Sequence, residues 1–350
     1  MGKAHPGVVN MMIDAREVKK IMIIKLGGMG DVFLSTIVIE SLRQHFRDAK
    51  IDYFVERAGR EAIAHDPRIH SIFTLDKKIM NPFSVILQVR QKRYDMVIDL
   101  FGNPRSAIIT LLSGARYRVG LDYGWRKYLY SVAGEAKRGQ LHGAEVNLQI
   151  LPAVQVPEYS PKLHFFLSDG DEKLADDFWK NNQLLGKFVI GILPAGSWPS
   201  KRCEPGKFAE ITSELTKRYH ATALVVWGPS DMQDAREICR NVGFTALMGP
   251  EATVSQNVSL LSRCTAIIAN DSGPMHIASS FDVPILCIYG PTFPEGPYGG
   301  LHAWVRNEHL SCLVCNLLEC PIQHQCMTEL PLQHVVDAFD QMMKKAGSSG

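Results

Sequence analysis

The chain has 350 residues and a formal charge of +2; 46% of its residues are apolar and 21% charged. That balance excludes a disordered chain, and the length corresponds to about two domains. No apolar run approaches the ~20 residues of a membrane-spanning helix. The stretch from Met1 to Lys20 lacks the long apolar core that marks a secretory leader.

The charge is unevenly distributed. Residues 1–160 carry 23 Lys and Arg against 16 Asp and Glu (+7), and residues 161–350 carry 15 against 20 (−5). A basic half suits an anionic partner, an ordinary solvated surface being the plainer alternative. The isoelectric point, about 8.1, is modest, and no basic helix or aromatic RNA-binding motif is present, which disfavours nucleic acid. The tail Gly347–Gly350 reads as a frayed terminus or a cloning remnant.

In chain order, Ile21–Leu26 reads as a strand buried on both faces, followed by a glycine turn and a helix over Asp31–Phe46. Strands follow at Ile51–Val55, Ser71–Leu75 and Met96–Leu100, with helices at Pro82–Lys92 and Pro104–Leu112. Gly120–Leu163 reads as irregular, and Pro152, Pro157 and Pro161 mark an interdomain linker near its end. The alternation restarts with strands at Phe188–Leu193, Ala223–Trp227, Thr245–Leu247, Ala266–Ala269 and Ile285–Tyr289. Helices lie at Pro205–Tyr219, Asp231–Val242, Val254–Ser262 and Pro331–Lys345. This pattern predicts an α/β protein of two doubly wound domains, residues 1–160 and 161–350, facing a central cleft.

Four loops carry candidate chemistry. Leu26-Gly27-Gly28-Met29-Gly30-Asp31 joins a strand to a helix, where glycines let a ligand approach backbone N–H groups. It is not a dinucleotide fingerprint: with Gly28 and Gly30 as the first pair, the third glycine position holds Phe33, although Glu56 could imitate the ribose-binding acid. Asp31 suits either a helix N-cap or a general base. The loop Leu193–Arg202, with Ser197, Ser200 and Lys201, suits a diphosphate or solvent equally. Asn270-Asp271-Ser272-Gly273-Pro274-Met275-His276 opens a helix whose first N–H groups could face an anion; a capped helix with a structural histidine is the bland reading. Tyr289-Gly290-Pro291-Thr292 ends the next strand. The last three loops share one rim of one predicted sheet.

These motifs, in this order and spacing, resemble glycosyltransferase family nine, the ADP-heptose:lipopolysaccharide heptosyltransferases, over about Lys20 to Phe339. The resemblance implies a GT-B fold of two Rossmann-like domains, with acceptor on the first and nucleotide-sugar donor on the second. It implies an inverting, metal-independent transfer needing no cofactor. Asp31 matches the catalytic base and Lys201, with Ser197, the donor-phosphate contacts. Asp271, Ser272, Gly273 and His276 match the donor signature. Gly28, Gly30, Arg116 and Arg118, together with Arg126 and Lys127, are candidates to meet an anionic lipid-linked saccharide. Two positions depart from the family pattern: Cys203 stands where Trp is common, and Asp231 where Glu often binds the ribose. The resemblance implies a cytoplasmic enzyme in peripheral contact with the inner membrane. The rival readings are an NAD-dependent oxidoreductase and a non-catalytic assembly protein on the same scaffold.

Of the eight cysteines, Cys239, Cys264 and Cys287 fall on predicted core positions. Cys312, Cys315, Cys320 and Cys326 form a C-x2-C-x4-C-x5-C cluster that suits either a structural zinc or a set of reduced thiols. In sequence it lies away from the four loops, so a metal there is expected to be structural.

Overall fold

The computed structural model describes residues 13–75, 82–159 and 161–347. Most of the start read as lacking a leader, and Ser348–Gly350 of the tail, lie outside the described residues. The chain forms two compact units that divide between Phe166 and Leu167.

The first unit contains β1 (Lys20–Lys25), β2 (Lys50–Glu56), β3 (Ser71–Leu75), β4 (Met96–Asp99), β5 (Tyr117–Leu121) and β6 (Val132–Gly134), in the order β3-β2-β1-β4-β5-β6. All neighbours are parallel, with Ile21 level with Ile51 and Met96. The second unit repeats the plan with β7 (Val189–Leu193), β8 (Thr222–Val225), β9 (Ala246–Met248), β10 (Ala266–Asn270), β11 (Ile285–Ile288) and β12 (Ala303–Val305), in the order β12-β11-β10-β7-β8-β9. Alternate residues of one strand feed opposite faces of this sheet. Ile190 and Ile192 join one apolar cluster, and Val189 and Leu193 the other. Cys264 and Cys287 are buried core residues as expected, whereas Cys239 is half-buried at the edge of its cluster.

Three strands have no counterpart in the sequence reading. β5 is interrupted by Arg118 and Gly120, and β6 and β12 have only three residues each. Gly120 is needed because the Tyr130 ring lies against it: a Cβ there would stand 2.3 Å from ring carbons. The region expected to be an irregular linker therefore completes the first unit, with β6 and helices Gly143–Leu148 and Ile150–Ala153. The helix predicted over Asp31–Phe46 is broken into helix Met29–Ser35, a 3-10 turn Thr36–Val38 and helix Ile39–His45. Ser35 Oγ donates to the Val32 carbonyl and Thr36 Oγ1 to that of Phe33, at the start of a β-branched run, which tightens the helix there.

The 3-10 segment Arg57–Ile63 lies on the Met29–Ser35 helix through Gly59. A Cβ on Gly59 would come within 2.5 Å of Val32 Cγ2. Gly59→Ala is therefore expected to cost about 1–3 kcal/mol, as overpacked cores do. Thermal melting should fall by roughly 2–4 °C per kcal/mol. Adding Val32→Ala should recover part of the loss in a double-mutant cycle. Strict additivity of the two changes would show that this contact does not limit packing.

Candidate active site

In each sheet the strand order reverses once, and the loops leaving the two strands at that point diverge to leave a crevice. In the second unit the reversal lies between β7 and β10. Asn270, the last residue of β10, is wholly buried. Its Oδ1 accepts from the Cys203 N–H at 3.2 Å, and its Nδ2 donates to the Pro194 carbonyl at 2.8 Å. One side-chain amide thus grips both ends of the loop after β7. Cys203, where the family often has Trp, packs into the core beside it, and burial pushes its thiol up to about 12.

Lys201 sits in the 3-10 turn Pro199–Lys201 within that loop. Its Nζ lies 2.6 Å from Asp271 Oδ2 and 4.8 Å from the centroid of the Trp198 ring. Thr292 Oγ1 donates to the same Oδ2 at 2.8 Å, and His276 Nε2 lies 3.7 Å from Oδ1. Asp271 therefore draws three of the four sequence motifs together. Burial pushes its carboxyl up, but the His276 hydrogen bond and the Lys201 charge outweigh this and hold it well below the usual range. The stability so contributed is fully present above about pH 4, where the unfolded carboxyl ionises, and is lost as pH falls below that. Ser272 caps the helix Gly273–Ala278 by accepting from the Met275 N–H at 3.4 Å. Ser197 is exposed on the same loop as Lys201.

Asp231 is placed differently from its expected donor role. It is buried, and its carboxylate accepts from Arg202, Ser230 and the Gly228 N–H. Arg202 also reaches Asp234 at 3.1 Å and donates to the Gly196 carbonyl at 2.9 Å, so this group braces the loop from beneath.

In the first unit the reversal lies between β1 and β4. Asp31 is exposed in the first turn of the helix that follows β1. Its carboxylate lies over Gly27, where a Cβ would stand 2.9 Å from Oδ2. Gly28 is exposed at the N-cap, whereas Gly30 is buried against the core. Beneath them Lys25, itself buried, donates from Nζ to the Leu100 carbonyl at 3.0 Å and to Asn147 Oδ1 at 3.2 Å. Asp99 ends β4 and accepts from the Phe101 and Gly102 N–H groups and from the Tyr130 hydroxyl at 2.8 Å. Burial raises its carboxyl despite these bonds. Arg116 and Arg118 are not brought to Asp31: they flank Tyr117 at the amino end of β5, level with the start of β1. Arg116 pairs there with Glu17 at 2.5 Å. Cations that follow a strand's carboxyl end include Arg57 and Arg60 after β2, Arg105 after β4, and Arg126 and Lys127 after β5; Arg105 pairs with Glu56 at 2.8 Å and Lys127 with Asp122 at 2.9 Å.

Comparison with known proteins agrees with this geometry. A profile described as glycosyltransferase family 9 (heptosyltransferase) matches residues 83–325, well over half the chain. The chain belongs to glycosyltransferase family 9. It is 24% identical to lipopolysaccharide heptosyltransferase 3 of Escherichia coli K12, over 91% of this chain and 97% of that protein. Its fold is shared with a family 9 glycosyltransferase from Veillonella parvula, at TM-score 0.79 and 21% identity, covering 95% of this chain and 99% of the other. The E. coli heptosyltransferase WaaC with ADP-2-deoxy-2-fluoro heptose aligns at TM-score 0.70 and 18% identity, over 92% and 99%. The two units are thus the Rossmann-like halves of a GT-B glycosyltransferase.

In this family 9 enzyme the cysteine cluster is not remote from the motif loops. The four cysteines and His324 line one cavity with Ser200, Gly290 and Pro291. Burial pushes the Cys326 thiol up to about 11, and the neighbouring Cys320, Cys312 and Cys315 add to the effect. Among the described residues no group of three or more His, Cys, Asp or Glu stands at metal-holding geometry. The same segment clamps Ser200, next to Lys201. The Ser200 N–H donates to the Leu318 carbonyl at 3.2 Å and its Oγ to that of Leu317 at 2.5 Å, while His324 Nε2 donates to the Ser200 carbonyl at 2.5 Å. Asn316 N–H also donates to the Pro291 carbonyl at 2.9 Å. Sequence distance hid this, because the chain crosses back over the loop rim after β12. His324→Ala should loosen the Lys201 turn and raise KM for the sugar donor about fivefold, the worth of one ordinary hydrogen bond. Melting should move only slightly. An unchanged donor KM would show that the clamp does not position Lys201.

Proposed function

We propose that the enzyme transfers heptose from ADP-heptose to a lipid-linked acceptor of the lipopolysaccharide-core type, with inversion and without a metal. The supporting observation is the Lys201–Asp271 pair, a cation fixed at 2.6 Å by a buried carboxylate on the rim of the second sheet's crevice. Such a group needs no reorganisation when a departing diphosphate gains charge, so it stabilises the transition state more than the ground state. Ser197 would add a hydroxyl contact to the diphosphate, and the Ser272–Gly273 turn and His276 would complete the donor site. Asp31 takes the acceptor hydroxyl's proton as that oxygen attacks the anomeric carbon. Its exposed position beside Gly28, above a buried polar framework, supports that role.

Arg57 and Arg60, exposed in the segment after β2, would supply cations for an anionic acceptor. The printed names of the relatives favour heptose and a lipopolysaccharide acceptor. Phe33, a large buried side chain at the third glycine position, does not suit the close helix–strand packing of the dinucleotide motif. No helix among the described residues is long and apolar enough to cross a membrane. In this reading the acceptor is met by peripheral contact at the cytoplasmic face of the inner membrane.

Two variants test the assignment. Asp31→Asn keeps the shape and removes the base, so kcat should fall by about 10²–10⁴-fold with ADP affinity nearly unchanged. Near-normal turnover would remove Asp31 from the chemistry. Lys201→Ala should lower kcat by about 10²–10³-fold and weaken ADP binding. It should also reduce stability, because Asp271 is left buried without the cation 2.6 Å from its carboxylate. Loss of stability with kinetics intact would make the pair structural.

A further inference from the structure

Three neighbouring segments of the first unit turn large apolar side chains outward. The helix Pro104–Leu112 buries Ala107, Ile109 and Thr110 but exposes Ile108, Leu111 and Leu112, reversing the usual surface pattern. On one side it packs against the helix Pro82–Lys92, which exposes Leu87, and Arg90 of that helix donates to the Leu112 carbonyl. On the other side lies the 3-10 segment Gly124–Leu129, whose Trp125 and Tyr128 are 57% and 74% exposed. Large apolar side chains exposed together on neighbouring segments mark a candidate interaction surface.

The charge around it selects the partner. Residues 82–134 hold eight Lys and Arg against three Asp. Of the acids, Asp99 is buried, Asp95 accepts from the Lys19 and Lys20 N–H groups, and Asp122 pairs with Lys127. Arg126 and Arg138 lie over the Tyr123 ring beside the aromatic segment. Apolar side chains flanked by Trp and Tyr and fringed by cations match the depth profile of an anionic bilayer, with acyl chains below an aromatic-rich interface and negative headgroups.

We propose that this face, built from the helices Pro82–Lys92 and Pro104–Leu112 and the segment Gly124–Leu129, docks the enzyme on an anionic lipid surface. The proposal deepens the functional reading and rests on it in one respect, that the acceptor is lipid-linked. Docking through the acceptor-side unit gives access to a sugar held at the headgroup level.

The test uses the full chain and phosphatidylethanolamine vesicles containing about one-third phosphatidylglycerol, without acceptor. The protein should float with these vesicles, bind neutral phosphatidylcholine vesicles much more weakly, and be released as salt rises. The double variant Ile108→Ser/Leu112→Ser should bind about tenfold less. It should retain parental transfer to a soluble, deacylated acceptor but lose rate on acceptor embedded in vesicles. A second variant, Trp125→Ser, should weaken flotation through the aromatic rim alone. The proposal is overturned if the parent does not float, if both variants float as well as the parent, or if sedimentation shows a dimer that Ile108→Ser/Leu112→Ser dissolves. Flotation without turnover of ADP-heptose would reject the functional reading and leave the docking surface standing.

Discussion

The geometry of the second unit's loop rim depends on one buried amide. Asn270 has no exposed surface and meets both ends of the loop after β7, at Pro194 and Cys203. A buried amide that failed to find partners would cost the full desolvation of its polar atoms, so the loop is held where both bonds can form. Everything beyond it inherits that placement. Lys201 is aimed at Asp271, Asp271 is anchored from β11's loop by Thr292, and Arg202 fills the space beneath by bridging to Asp231 and Asp234.

The first unit answers the same topological problem with a cation. Where β1 and β4 diverge, Lys25 ties the carbonyl of Leu100 to Asn147, and Asp99 is capped by two backbone N–H groups and the Tyr130 hydroxyl. Parallel sheets covered on both faces leave no water to satisfy loop ends near the strand tips, so side chains must do it. The two solutions differ in chemistry but have the same effect: the ends of the loops on each rim are held by buried polar side chains. Asp31 projects into solvent over Gly27, and Gly59 lies against the Val32 side chain one residue on; a Cβ on either glycine would meet those side chains.

The segment carrying the four cysteines shows how a structural element can enter a functional site from a distance. Its carbonyls at Leu317 and Leu318 and the imidazole of His324 hold Ser200 from three directions, one residue from Lys201. That segment therefore has a direct mechanical connection to the loop that carries Lys201. Its role is to position, since among these residues only the neighbouring lysine belongs to the proposed chemistry.

Much of the fold was legible in the sequence because double burial demands it. Strands such as Ile21–Ile24 and Ala266–Ala269 must be apolar on both faces, and helices such as Pro104–Leu112 and Pro205–Tyr219 announce their starts with proline. Asp31, Lys201, Asp271 and His276 were singled out through the family resemblance, because a helix cap, a solvated loop or a structural histidine explains each of them in isolation. Strands β5, β6 and β12 were not, because a three-residue edge strand, or one opened by Gly120 for the Tyr130 ring, carries no periodic signal. Nor could spacing place Arg116 and Arg118 at the amino edge of their sheet, bury Asp231 against Arg202, or bring His324 to Ser200. Composition and local pattern determine which segments pair with water and which with a core. Which loop touches which is decided by strand order and by where buried polar groups find partners, and those partners lie 30 to more than 120 residues away in the chain.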